Sequence, residues 1–123
     1  MKINENLAFQ GDIALLKVNA LPEGVTRVTQ ALNSAEREAF GYHPEKGLVL
    51  AQGESRAHYH AFCDTDAVEM YAAANDNRLF VKVLTPATLF HDEHDPIQHP
   101  EGIYELLFQK EYTFDDLYAK VAD

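Results

Sequence analysis

"AVEMYAAANDNRLFVKVL", residues 67–84, decides the fold class. Two runs, "AVEMYAAA" and "RLFVKVL", flank the tripeptide "NDN", which suits a turn with positive φ. Together they read as a pair of strands joined by a short turn. The same grammar extends in both directions. Upstream, "GDIALLKVNA" (11–20) is a first strand, "LPEG" (21–24) a turn, and "VTRVT" (25–29) sets Val25 and Arg27 against Thr26 and Val28. "LVLAQG" and "AHYHAFC" are two further strands, with "GESR" between them. Downstream, "PATLF" leads into a histidine-rich loop, and "GIYELLFQKEY" is the last long strand.

Two segments read differently. "ALNSAEREAFGYHPEKG" (31–47) supports either a short helix, opened at Ser34 with Glu36 and Glu38 and stopped by Gly41, or a long hairpin. "TFDDLYAKVAD" predicts a C-terminal helix over 113–122. Thr113 is its N-cap, Asp116 the capping partner, and Phe114, Leu117 and Val121 a packing face. Many short strands with turn signals about every ten residues point to a small all-β sandwich or barrel closed by that one helix. At 123 residues the chain is expected to form a single domain, 1–123, without linker or repeat.

Composition narrows the function classes. Twenty acidic residues against ten basic ones give a net charge of −10, and the basic residues are scattered from Lys2 to Lys120. Phosphate backbones need a basic patch, so nucleic acid is a poor partner, as is an anionic membrane. An acidic surface suits a basic protein partner instead. No apolar run is long enough to span a bilayer, and "MKINENLAFQGD" lacks a signal-peptide core. Cys63 stands alone, so no intrachain disulfide forms; it reads as a small buried apolar residue rather than a soft metal ligand, and a cytoplasmic setting is expected. Edge-to-edge pairing into a homodimer is compatible with an all-β domain of this size.

The histidines carry the chemistry. His58 and His60, in "RAHYHAF", share one face of a strand because side chains repeat every two residues. "HDEHDPIQHP" (91–100) adds His91 and His94, which meet if the loop makes a helical turn, among Asp92, Glu93 and Asp95. Imidazoles from two segments with carboxylates nearby are a ligand set for a divalent transition metal: zinc, iron, manganese or nickel. The candidate metal ligands are therefore His58, His60, His94 and His91. His99 reads as a surface or supporting group and His43 as a loop residue. Tyr104 or Glu93 are candidates for moving protons beside a bound ion.

"GESRAHYHAFCD" resembles the first motif of the cupins, with Gly53 four residues before His58 and Asp64 in place of the family's glutamate. "PEGIYE" resembles the second, with Pro100 and Gly102 in register and Glu105 where a histidine stands in the family. This resemblance implies a cupin-like barrel holding a metal on His58, His60, Asp64 and Glu105. A second resemblance covers most of the chain. "FQGDIALLKVNALPEG", the H-x-H strand, "HDEHDPI" and "PEGIYELLFQKEYTFDDLYAKVAD" look like a family of small uncharacterised bacterial and phage proteins. It implies that the two histidine elements belong to one design and assigns no activity. Two functions are thus weighed: a cupin-like metal-binding protein, and an acidic, non-catalytic interaction module directed at a phage or host protein. A third, a pH-responsive loop, follows from histidines set among carboxylates. Convergence of His58, His60 and His94 in a concavity distinguishes the first from the second.

Overall fold

The computed structural model describes residues 2–4, 6–29, 32–34, 37–52, 58–74 and 76–108. Among these residues the chain is all-β, with strands that pair antiparallel throughout and no helix. In chain order the strands are β1 (Lys2–Asn4), β2 (Leu7–Gln10), β3 (Ile13–Val18), β4 (Val25–Val28), β5 (Leu32–Ser34), β6 (Arg37–His43) and β7 (Gly47–Gln52). They continue as β8 (Tyr59–Phe62), β9 (Val68–Ala73), β10 (Leu79–Val83), β11 (Ala87–Phe90), β12 (Ile97–His99) and β13 (Gly102–Phe108). The first sheet runs β1-β2-β3-β13-β10-β9-β4 and the second β12-β11-β8-β7-β6-β5.

The stretch 67–84 is an antiparallel hairpin, with Val81 opposite Met70 and Val83 opposite Val68. Of the expected NDN turn, Asp76 and Asn77 are described, and neither has positive φ. The Asp76 carboxylate accepts the Arg78 N–H at 2.9 Å, a side-chain bond that helps to close the turn. Segment 31–47 resolves to strands β5 and β6 and not to a helix, with Leu32 opposite Phe40. The turn after β6 is fixed by His43 Nδ1, which accepts the N–H groups of Glu45 and Lys46, both at 3.1 Å. The loop expected over 91–100 is shorter than read, because 97–99 pairs with β11. The helix predicted at 113–122 lies outside the described residues.

Register builds the core. In the first sheet, rows Leu15–Leu106–Leu79 and Tyr104–Val81–Met70–Val28 put alternate side chains on one face. In the second, Leu48, Phe62 and Leu89 stand opposite one another. These rows pack together as one buried cluster, in which Phe62, Leu48, Val81 and Met70 have no exposed surface. Each such side chain contributes roughly 1.5–3 kcal/mol by leaving water. A second buried group, Leu7, Phe9, Ala14, Leu16 and Leu107, lies on the opposite face of the first sheet. No helix of the described residues is long and apolar enough to cross a membrane.

The site lies where this core layer ends. Side chains two apart share a face, so His60 lies on the same side of β8 as the buried Phe62. Across the layer, Gln10 takes part in the row that holds Ile13 and Phe108. The turn from β2 to β3, Gly11 and Asp12, then passes beside the start of β8.

Candidate metal centre

The structure brings all four candidate histidines together. His60 and His91 have ring centroids 4.3 Å apart, His91 and His94 4.5 Å, His60 and His94 6.4 Å, and His58 and His91 6.3 Å. His91 is the hub of the group although the sequence placed it last among the ligands. The reason is local. β11 ends at Phe90, and the next residue turns inward toward β8 and is buried.

At the rim, His58 Nδ1 lies 2.9 Å from an Asp92 carboxylate oxygen and 3.2 Å from a Glu93 oxygen. Among the described residues, His58, Asp92 and Glu93 present three ligand atoms within 4.8 Å of one another. Asp92 loses some solvent, which pushes its carboxyl up, but the hydrogen bond and the charge of His58 outweigh that and hold it below the ordinary range.

Inside, His60 is buried at 4% exposure and engaged at both nitrogens. Nδ1 lies 2.8 Å from Gln10 Oε1, and Nε2 lies 3.0 Å from an Asp12 carboxylate oxygen. Burial drives its pKa down to about 4; the Asp12 carboxylate, which would accept a hydrogen bond from the charged ring, opposes this, and the neighbouring His91 and His94 reinforce it. At neutral pH this ring is uncharged, which is the form that ligates metals. His91 is also shifted down, by burial first and then by repulsion from His94, against the pull of Asp92 and Glu93.

Hydrogen bonds assign different roles to these rings. The Glu93 N–H donates to His91 Nδ1 at 3.0 Å, so in neutral His91 the proton resides on Nε2. His91 therefore offers the cluster an N–H donor in this orientation and no lone pair. His58 and His60 have the opposite arrangement: each presents Nδ1 to an oxygen acceptor, which leaves Nε2 free of hydrogen in the neutral ring. For His60, an oxygen partner at Nδ1 is the usual support for a metal bound at Nε2, whereas the oxygens facing His58 Nδ1 are themselves possible ligands.

The cupin-implied carboxylates are elsewhere. Glu105 is buried opposite Phe80 and Leu16 and is held by Arg78 at 3.1 and 3.3 Å. Neighbouring Tyr104 points to the other face, into the core. Asp64 closes its own turn by accepting the Asp66 N–H. Tyr104 donates its hydroxyl proton to the Pro100 carbonyl at 2.7 Å, and burial raises its pKa, so it does not serve the cluster. Glu93 does stand at the rim. His99 is a core residue and not a surface one, packed edge-on against Phe62 and Tyr104. Sequence reasoning missed Gln10, Gly11 and Asp12. Its available signal was "FQGD", where a glutamine ends an apolar strand immediately before a Gly-Asp turn.

Residues 9–109 match a family described as a domain of unknown function, DUF8820. The chain belongs to that family. The match includes Gln10, Asp12 and both histidine segments. No curated protein and no solved structure matches the chain.

Proposed function

We propose that this chain binds a divalent transition metal at the histidine cluster. The observation that carries the reading is convergence. Two segments about thirty residues apart contribute four imidazoles, with His91 4.3 and 4.5 Å from His60 and His94 and 6.3 Å from His58 between ring centroids, and the rim adds two carboxylates beside His58. A scattered set of surface histidines would favour a pure interaction module instead. The rim set of one nitrogen and two carboxylate oxygens suits iron(II), manganese(II) or nickel(II) with coordination positions left for water, whereas an ion recruiting more imidazoles would be zinc. An ion held by His58 Nδ1 and the two carboxylates would leave the ring's hydrogen on Nε2, and because protons compete for the same ligand atoms its binding weakens at low pH. No reaction is assigned to the centre.

A cupin-like barrel remains the finer architectural reading. It is supported by two facing sheets and an H-x-H strand at their open end, and it requires Asp12, Asp92 or Glu93 to replace the family's carboxylate ligand. Cys63 is exposed and not the buried apolar residue expected, and an unpaired thiol at the surface fits a reducing, cytoplasmic setting.

The test is the metal content of protein purified without a histidine tag, beside a His58→Ala/His60→Ala variant. Near-stoichiometric transition metal in the wild type, lost in the variant, is the expected result. If the wild type carries none, and zinc, iron and manganese all leave its melting temperature unchanged, the metal reading fails. The net charge of −10 then favours docking of a basic protein on the 91–95 loop.

A further inference from the structure

The tautomer of His60 is set by the side-chain amide of Gln10. Its nitrogen lies 2.9 Å from the Leu89 carbonyl oxygen and 3.0 Å from the Asp95 carbonyl oxygen. Carbonyl oxygens only accept, so both contacts require the NH2 group there, and the amide orientation is fixed by chemistry. Gln10 Oε1 must then face His60, and an amide oxygen also only accepts. His60 Nδ1 therefore carries the hydrogen in the 2.8 Å contact. In the neutral ring Nε2 is left as a bare lone pair. That lone pair faces the Asp12 carboxylate at 3.0 Å. Two acceptors stand against each other with no hydrogen between them.

Such a contact needs a proton or a metal cation between the two atoms. A second proton on His60 would serve, but the ring is buried and packed 4.3 Å from the His91 ring, a poor place for an imidazolium. A divalent ion uses both lone pairs and leaves the ring neutral. We propose that His60 Nε2 and the Asp12 carboxylate form a second, inner cation site, separate from the His58–Asp92–Glu93 trio, which takes a divalent transition-metal ion.

Gly11 is what makes the approach feasible. It has φ of +60°, and a Cβ there would stand 2.6 Å from His94 Nε2 and 3.4 Å from His60 Cε1. Without that atom, the turn lies directly against both rings, aims Asp12 at His60, and leaves His94 Nε2 over the backbone. His94 is exposed, so rotation of its side chain can deliver a third donor. The Asp12 side chain is 47% exposed, which opens the remaining positions to water. Gln10 is then a positioning residue that holds the His60 tautomer from behind, as oxygen acceptors do behind metal-bound histidines.

This inference does not depend on the rim trio holding an ion, and cobalt(II) titration of chelator-stripped, tag-free protein separates the two. Stoichiometry is read by native mass spectrometry and ligand-field absorption, with the melting temperature of every variant confirming its fold. Wild type is expected to bind two ions and Asp12→Asn one. Asp92→Asn/Glu93→Gln is expected to lose the other ion and keep the inner one. Gln10→Leu should weaken the inner ion by roughly 10–100-fold, as loss of such a supporting bond does. One ion that is lost in Asp12→Asn and kept in the rim variant supports the inner site and overturns the rim. The converse overturns the inner site. So does nitrogen-15 NMR showing His60 doubly protonated in stripped wild type at pH 7, since an ion pair would then explain the contact.

Discussion

His60 and His99 are buried to nearly the same degree, at 4% and 3% exposure, and both face the layer between the sheets. They differ in company. His99 lies edge-on to Phe62 and Tyr104, with ring centroids 5.9 and 5.2 Å away, in the middle of the apolar rows. His60 lies one strand position beyond Phe62 on the same face, yet its neighbours are an amide, a carboxylate and two imidazoles. Burial alone does not make a histidine functional. What separates a packing ring from a candidate ligand is whether the groups around it determine its tautomer and point a lone pair at something.

Four experiments break or sharpen that contrast. Phe62→Ala attacks the His99 side. Removing a fully buried ring should cost about 3–5 kcal/mol, read as a lower denaturant midpoint; a change below about 1 kcal/mol would mean that the rows are not the core. Acid attacks the His60 side. In chelator-stripped protein His60 is held down to about 4 while the unfolded chain titrates near 6.5, so between these values the unfolded state binds more protons. Stability from this ring is fully present above 6.5 and is lost as pH falls toward 4, on the order of 3 kcal/mol at about 1.4 kcal/mol per unit. A His60→Gln variant should flatten that slope, and an unchanged slope would show that another group titrates.

Gly11→Ala comes next, at about 1–2 kcal/mol for a β-carbon in the left-handed region. Because the clash is with the far end of a mobile side chain, His94 swings away, and its NMR resonances should move more than those of His99. Equal shifts at both rings would show a global change instead. His94→Ala is the smallest in stability, within about 0.5 kcal/mol for an exposed residue, while it should lower cobalt(II) affinity at least about tenfold. An unchanged affinity would remove His94 from the site.

The fold was readable because strand periodicity is local. Val68, Met70 and Ala72 alternate with Glu69 and Tyr71, and this pattern predicts one buried and one outer face without knowledge of the partner strand. The histidine segments were readable as spacing, but strand period does not set their geometry: His58 precedes β8, and His91 and His94, three apart, lie in the loop after β11. Asp12 was not readable, because it meets His60 across 48 residues of chain, and no period within a strand reports on a contact between sheets. His91 was underrated because its position depends on where β11 stops. Glu105 was read as a ligand from motif register, whereas its neighbours in β10 and β3, Phe80 and Leu16, place it on the outer face with Arg78.

Gln10 has one further consequence. Its single side chain, rooted in the seven-stranded sheet, bonds to β8, to β11 and to the loop beyond β11, all on the other side of the layer. Any separation of the two sheets at this end stretches these bonds together, the one to His60 among them. The cluster thus acts as a latch whose closure and the docking of the sheets are the same event. Solvent exchange at the His60 ring would gauge how often that end of the molecule opens.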